Sequence, residues 1–432
     1  MLRYALRRTL LIPPTFFFVS LVLFLVLNLA PGEPGAAGDG TESSGQGEER
    51  ESYRLFKEQF NLDKPVVVNT RSWLSQAQVV RWIDAAYRLT GDPSTADVVG
   101  AQERLDEHGH YLVRHLVALL DDPVRVDAAL DTLPRATGGE PARSAFEWRE
   151  FFEANRSRFV FSPGRSLYNF ALDTRFAAWW SNLLQLDFGL SIVDRQPVRA
   201  AIVSRLVYTL SLTGLSLALA YFIAVPLGVF SAARPGSRFD AVTTVLVFVL
   251  FSVPAFFSGT LLLRLFAEEL RWFPPSGFQS VGLADRTTAE QFADVLWHLF
   301  LPVVTYAAGI LAVLSRYTRT GVIDVIRSDY VRTARAKGLP ELVVLVKHAA
   351  RNGMIPVLTL LGSLLPLLVS GSVVIEVVFN IPGMGLYLFD SINLRDYNAV
   401  MGVLVVVSFL TLVGVFLSDL LYAASDPRIS LG

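Results

Sequence analysis

Few side chains in this 432-residue chain are spaced for bond-making chemistry, and those few fall short of complete sets. His108, His110 and His115 cluster as metal ligands would. However, His108 and His110, with one residue between them, do not share a helix face, and no Cys or spaced carboxylate completes a ligand set. They are expected to be solvated or locally hydrogen-bonded, with no metal. No GxxxxGK[ST] loop occurs, so the chain is not expected to cradle nucleotide phosphates or hydrolyse ATP. Cysteine is absent, which removes disulfides, thiol catalysis and thiolate metal sites. Two carboxylates, Glu376 and Asp419, lie at the ends of long apolar runs, where an ionisable group is a candidate for function. Neither makes a proton relay or ion pathway, and both are expected to be solvated or hydrogen-bonded near a membrane surface. Arg264 is expected to snorkel from the end of its apolar run.

What remains is mechanical. Residues 329–351, running into 356, read DYVRTARAKGLPELVVLVKHAARNGMIP, a basic pair of short helices between two apolar runs. Ser328 is placed to cap a helix whose first residue, Asp329, favours the positive helix end. Gly338 stands where a left-handed residue would end that helix, and Pro340 suits the start of a second one. Helix, glycine break and helix make a short lever, able to dock in a groove of a cytosolic partner and pass its movement to the next apolar run. On composition alone, a basic loop that only obeys membrane charge statistics fits as well.

The elements that must hold this lever are apolar. Hydrophobic residues make up 52% of the chain, and the mean hydropathy is +0.43. The excess is concentrated at 10–29, 207–230, 241–263, 296–314, 355–378 and 400–422, each near the roughly 20 residues that cross a bilayer core. Six spans are expected. The fourth is the least regular, since His298 and Pro302 interrupt its start. Ser252, Pro254, Ser258 and Gly259, in SVPAFFSGT, predict a bend in the third span with close helix packing.

Charge orients these spans. Arg3, Arg7 and Arg8 precede the first run, which puts the N-terminus in the cytoplasm. Alternation then places Arg234 and Arg238 inside, together with Arg316, Arg319, Arg327, Arg332, Arg335, Lys337, Lys347 and Arg351. The short outer segments are acidic or nearly free of basic residues: 267–295 carries Arg271 and Arg286 against Glu268, Glu269, Asp285, Glu290 and Asp294. Both termini are therefore expected inside. The first run exceeds the core of a cleaved signal peptide and is expected to be retained.

The largest polar segment, 32–205, falls outside. Its start (32–47) is rich in Gly, Ser, Ala and Glu and reads as a linker. From Tyr53 the pattern is mostly helical, with 17 basic and 22 acidic residues over 36–175, so it is not expected to hug anionic lipid. The phrase LLDDPVRVDAALDTL has too few copies to define a repeat.

Several stretches in the same order resemble one family. YVRTARAKGL (330–339), HAARNGMIPVLTLLG (348–362), VVIEVVFNIPGMG (373–385) and SDLLYAASDPRI (418–429) are similar to stretches of dipeptide/oligopeptide-type ABC importer permease subunits. RRTLLIPPTFFFVSLVLFLVLNLAPG, NLDKPV (61–66), LLQLDFGLSI (183–192) and FPPSGF (273–278) fall in the family's order as well. Two departures stand out. Arg332 occupies a position that is acidic in the coupling signature of other ABC importers, and an insert at 67–175 interrupts the outer loop.

The resemblance implies an all-α polytopic fold of type I importer character, with a large, mostly helical extracytoplasmic insertion between the first two of six transmembrane helices. Its parts are 1–31, with the first span; 32–205, the outer loop with its insert; and 206–432, the permease core. It implies coupling to an ATPase through Tyr330, Arg332, Thr333, Ala334, Ala336, Lys337, Gly338 and Leu339. Ser252, Pro254, Glu376, Pro382, Gly383 and Gly385 become candidates for the translocation path or outer gate. The implied partners are a second, homologous permease, two cytosolic ABC ATPases carrying the ATP and Mg, and an extracytoplasmic solute-binding protein. This chain would hold no cofactor of its own and would sit in the bacterial inner membrane. Rival readings are a membrane-anchored receptor or scaffold working through the outer domain, a permease for a sugar or nickel complex, and an ion-coupled secondary transporter. The last finds no inverted repeat or paired buried charges here.

Overall fold

The computed structural model describes residues 2–29, 64–141, 143–283, 286–354, 357, 360, 364, 368 and 371–425. The expected linker, the start of NLDKPV, Asp285, most of the fifth apolar run and the terminal DPRI lie outside them. The chain divides into two units: Met1–Gly40 with Phe188–Gly432, and Thr41–Asp187.

The first unit begins with α1 (Leu2–Leu29). The second unit is a helical domain: α2 (Gln76–Ala86), α3 (Thr95–His108), α4 (Val113–Ala118), α5 (Val126–Ala136), α6 (Ala145–Ala154), α7 (Pro163–Leu172) and α8 (Arg175–Leu184). Helix starts here are locally encoded. Ser75 with Gln78, Ser94 with Asp97 and Ser144 with Glu147 each close a reciprocal capping box. The helices bury Val79, Ile83, Leu105, Leu112, Leu116, Leu133 and Trp148 in one core. Its two chain ends run side by side. Asn69 N–H donates to the Phe170 carbonyl at 3.0 Å, while Arg175 and Phe176 N–H donate to Pro65 and Val66 at 2.9 and 3.0 Å. Tyr111 and Asn69 both donate to the Asp173 carboxylate (2.5 and 3.1 Å), and Lys64 pairs with it at 3.2 Å.

The first unit resumes with α9 (Val198–Ala233), α10 (Arg238–Ser252), α11 (Ala255–Leu262), α12 (Thr288–Ile326), α13 (Asp329–Ala336), α14 (Glu341–Val343), α15 (Val373–Val378), α16 (Met384–Asn393) and α17 (Tyr397–Ser425). Among the described residues, four of its helices are long and apolar enough to cross a membrane: α1, α9, α12 and α17. The α10 and α11 pair, with its π-helical continuation Leu263–Glu269, makes a fifth candidate bent by 97°. The bend falls at Val253 and Pro254, as SVPAFFSGT leads one to expect. Pro254 has no amide to continue the ladder, and Ser252 turns its hydroxyl back onto the Phe248 carbonyl at 2.8 Å. Irregular starts notwithstanding, the fourth run forms a 39-residue helix with Pro302 inside it.

Helices α9 and α12 form the spine. Ala220, Ala224, Ala307, Leu311 and Leu314 pack between them, and small residues permit the close approach. Of the fifth run, Val357 and Leu368 lie along α9, where their carbonyls accept from Tyr221 at 3.2 Å and Thr213 at 2.7 Å. Helix α1 lies on α17, with Phe16 edge-on to Phe409 and Arg8 paired with Asp419 at 3.2 Å. Asp419 is therefore ion-paired. Arg264 is exposed, and its partner is Glu269 at 3.3 Å.

Candidate functional site

Residues 328–353 adopt the helix, break and helix that their sequence prescribes. Ser328 takes an extended N-cap backbone, but its side chain makes no cap hydrogen bond. Its hydroxyl donates instead to the Val325 carbonyl at 2.6 Å, so the cap expected of it is not made. Helix α13 ends at Ala336 with Lys337 as its C-cap, and Gly338 follows at φ +76°, the left-handed geometry a residue with Cβ resists. After Pro340, α14 runs on through a π-helical stretch, Val344–Ala350, to Arg351–Gly353.

Two polar contacts hold the two arms together across the break. Arg335 donates to both Glu341 oxygens, at 2.7 and 3.2 Å, and the guanidinium beside it keeps the Glu341 carboxyl below its ordinary range. Asn352 donates to the Tyr330 hydroxyl at 2.8 Å. Beneath them lies an apolar seam. Val331, Ala334 and Val344 form one buried patch, and Leu345, Ala349 and Ala350 pack with Val229, Ala232 and Val322. The segment is thus seated on the C-terminal ends of α9 and α12. Gly353 makes the contact intimate: a Cβ there would lie 2.8 Å from Val322 Cα.

The opposite face is open. Tyr330, Arg332, Thr333, Ala336, Lys337, Gly338 and Leu339 are exposed, as are Leu342, Val343 and Val346. Of the eight residues singled out in 330–339, only Ala334 is buried. The arrangement is a two-armed plate, apolar beneath and mixed basic and apolar on top, joined to two long helices.

A polar lock lies beside the plate, and sequence reasoning missed it. Asp240, at the start of α10, receives both Arg319 Nε (2.6 Å) and Nη2 (2.8 Å) from α12. Ser231 from α9 and the Gly236 amide donate to the same carboxylate. The Ser237 cap of α10 was the one local signal, since it places Asp240 at the third helical position.

The outer-gate candidates divide into two groups. Ser252 and Pro254 form the bend between α10 and α11. Glu376, Pro382, Gly383 and Gly385 come together where α15 meets α16. Glu376 is fully buried, and of the two expected states, solvated or hydrogen-bonded, it takes the second. It accepts from the amides of Gly385 (2.6 Å) and Leu386 (3.0 Å) and from the Thr209 hydroxyl (2.9 Å). Thr209, on α9, was not anticipated.

The three histidines of the second unit do not converge on a metal site, and no cluster of three metal-ligating side chains occurs among the described residues. His115 is buried, with Nδ1 2.7 Å from Gln76 Oε1 and Nε2 accepting from Arg114. His108 lies 2.7 Å from the Arg104 carbonyl, and the His110 ring lies tilted against Tyr111.

Residues 224–431 match the family described as binding-protein-dependent transport system inner membrane component. An oligopeptide transport system permease protein of Bacillus subtilis, AppB, is 36% identical over 320 residues, covering 74% of this chain and 98% of its own length. A putative peptide permease of Brucella suis is 40% identical over 60% of this chain and 80% of its own. The glutathione transport system permease protein GsiC of Escherichia coli is 38% identical over 59% of this chain and 78% of its own.

Proposed function

Because this chain belongs to the family of binding-protein-dependent transport system inner membrane components, we propose that it carries peptides inward as one permease subunit of an ATP-driven importer. The cargo class rests on the relatives, whose names specify oligopeptides, peptides and glutathione. In this reading the chain crosses the inner membrane six times with both termini in the cytoplasm. The bent α10–α11 pair forms the third span, and the run containing Val357, Leu360, Leu364 and Leu368 forms the fifth.

One observation carries the mechanism: the 329–353 plate is seated through a buried seam on the ends of α9 and α12, while its other face is free. Two cytosolic ATPases bind that free face through Tyr330, Arg332, Thr333, Ala336, Lys337, Gly338 and Leu339. Ala334 holds the plate from below. Closure of the ATPases on ATP and Mg displaces the plate, and the Arg335–Glu341 pair keeps its arms from folding separately. The seam passes the movement to α9 and α12, which line the passage with a second, homologous permease. An extracytoplasmic solute-binding protein delivers the peptide to the outer gate formed around Ser252, Pro254, Glu376, Pro382, Gly383 and Gly385.

The helical domain with clasped ends accounts for the insert at 67–175 and stands on the outer side. About a quarter of this chain lies outside its alignment with the Bacillus relative, which is itself covered almost completely.

The test is purification of the tagged chain in mild detergent, followed by reconstitution and uptake of a labelled di- or oligopeptide. Co-purification of a second permease and two ATPases, with ATP-dependent uptake, is the expected result. Recovery of the chain alone after crosslinking in the membrane overturns the reading. Uptake of a sugar or nickel complex in place of peptide overturns the cargo assignment alone.

A further inference from the structure

Helix α16 begins with a residue that cannot cap it. Gly383 stands at its N-cap with extended backbone and no side chain, so the first amides need partners from elsewhere. They find them in two other helices. Met384 N–H donates to the Thr209 hydroxyl oxygen at 2.9 Å. Gly385 and Leu386 N–H donate to one oxygen of Glu376, at 2.6 and 3.0 Å. Thr209 in turn donates its own proton to the other Glu376 oxygen at 2.9 Å. Three consecutive amides are therefore capped by Glu376 from α15 and Thr209 from α9.

The surroundings are shaped around this carboxylate. A Cβ on Gly383 would lie 2.5 Å from Glu376 Oε2, one on Gly385 2.9 Å from the same atom, and one on Gly371 2.9 Å from Oε1. With Glu376 absent, a Ser at 383 could cap α16 locally with no charge to bury. Burying a carboxylate far from water is costly unless every lone pair is met, and a cap supplied from another element fixes position as well as helicity.

We propose that Glu376 is the positioning residue of the outer gate: with Thr209 it welds the α15–α16 corner to α9, and the gate opens by movement of the whole corner, not by flexing of its 381–385 loop. The inference rests on the importer reading given above. The weld continues into a shared core, where Leu212 of α9, Leu299, Leu301 and Val303 of α12, and Ile375 and Phe379 of α15 pack together. Parting the corner from α9 would take Thr209 from both the Met384 amide and one oxygen of the buried Glu376 carboxylate at once. The same two helices take up the displacement of the inner plate, so inner and outer ends move on one rigid frame.

The absence of cysteine allows a direct measurement. Spin labels at Val203→Cys on α9 and Ile392→Cys on α16, both exposed positions, report the distance across the weld in the reconstituted complex. The expected distribution is narrow and the same in the nucleotide-free and ATP-trapped states. Glu376→Ala is expected to broaden it and to lower the maximal uptake rate roughly tenfold, with KM for peptide little changed. Glu376→Gln keeps an acceptor for the Gly385 and Leu386 amides and is expected to stay within about twofold of the parent. A distance that shifts with nucleotide in the parent, while ATP-driven uptake proceeds, overturns the weld. So does a Glu376→Ala complex of normal distribution and rate. If Glu376→Ala does not assemble, the parent's distances alone decide. Absence of ATP-driven uptake by the parent is a different failure, that of the importer reading itself.

Discussion

Arg319 grips Asp240 with two nitrogens of one guanidinium, at 2.6 and 2.8 Å, across 79 residues of chain. The pair joins the start of α10 to the C-terminal half of α12, and Ser231 brings in the end of α9. Three helices thus meet at one carboxylate that is almost wholly buried.

Arg319→Ala should lower stability by about 2–3 kcal/mol, since it leaves a buried carboxylate with its charge unmatched. Arg319→Lys should restore little, because a single ammonium cannot reproduce the two-pronged contact. Thermal unfolding of the purified chain in detergent reads both. A lysine variant melting with the parent would show that the fork geometry is unimportant.

Gly338→Pro should separate membrane insertion from transport. Proline cannot adopt the +76° φ of this residue, and it removes the amide that donates to Arg335 at 2.9 Å. The expected variant is present in the membrane at parental level, yet takes up peptide roughly tenfold more slowly or worse. Gly338→Ala should cost only about 1 kcal/mol, because nothing lies within 4 Å of its added methyl. Parental uptake by the proline variant would remove the rigid plate from the mechanism.

Three helical glycines make a graded set. A methyl on Gly228 would meet Thr318 Cβ at 2.5 Å, and one on Gly353 would meet Val322 Cα at 2.8 Å. Each alanine there should destabilise by about 1–3 kcal/mol as α9 or the plate is pushed off α12. Gly309, on α12 with open space around it, should tolerate alanine or gain slightly. Melting temperatures of the three variants check the order, and equal values would mean that these helices are not tightly apposed.

Acid should loosen the second unit before the membrane helices. Burial, with the Arg114 charge beside it, pushes the His115 imidazole down to about 4, and burial likewise holds His108 at about 4. Unfolded, each binds a proton at about 6.5, so the unfolded chain holds more protons between those values. The stabilisation is therefore complete above about pH 6.5 and declines as pH falls towards 4. Emission from Trp148, buried in that unit's core, followed through thermal unfolding at pH 7.5 and pH 5 in a variant whose other six tryptophans are phenylalanine, reads the effect. His115→Asn, which retains a donor for Gln76, should flatten the pH dependence. An unaltered profile would place the acid sensitivity elsewhere.

What could be read from the sequence was local. Run length, proline and glycine told where helices begin, bend and stop, as at Pro254 and Gly338. Motif order told the family. Contacts between distant segments could not be read. Glu376 and Thr209 are 167 residues apart, and nothing near either announces the other. Glu376 stands at the end of an apolar run, a place that suits a solvated and a hydrogen-bonded carboxylate alike. The fold brings the start of α16 onto it and makes it the second. Ser328 shows the converse limit: the right residue type occupies the cap position, but its hydroxyl finds a closer carbonyl behind it.

The clasp between residues 65–69 and 170–176 gives the second unit a socket. Because Asn69 and Phe170 already share a backbone hydrogen bond, whatever joins them must close a gap only one hydrogen bond wide. A reporter domain whose own termini lie as close together matches that spacing, which makes the clasp the place to splice one in.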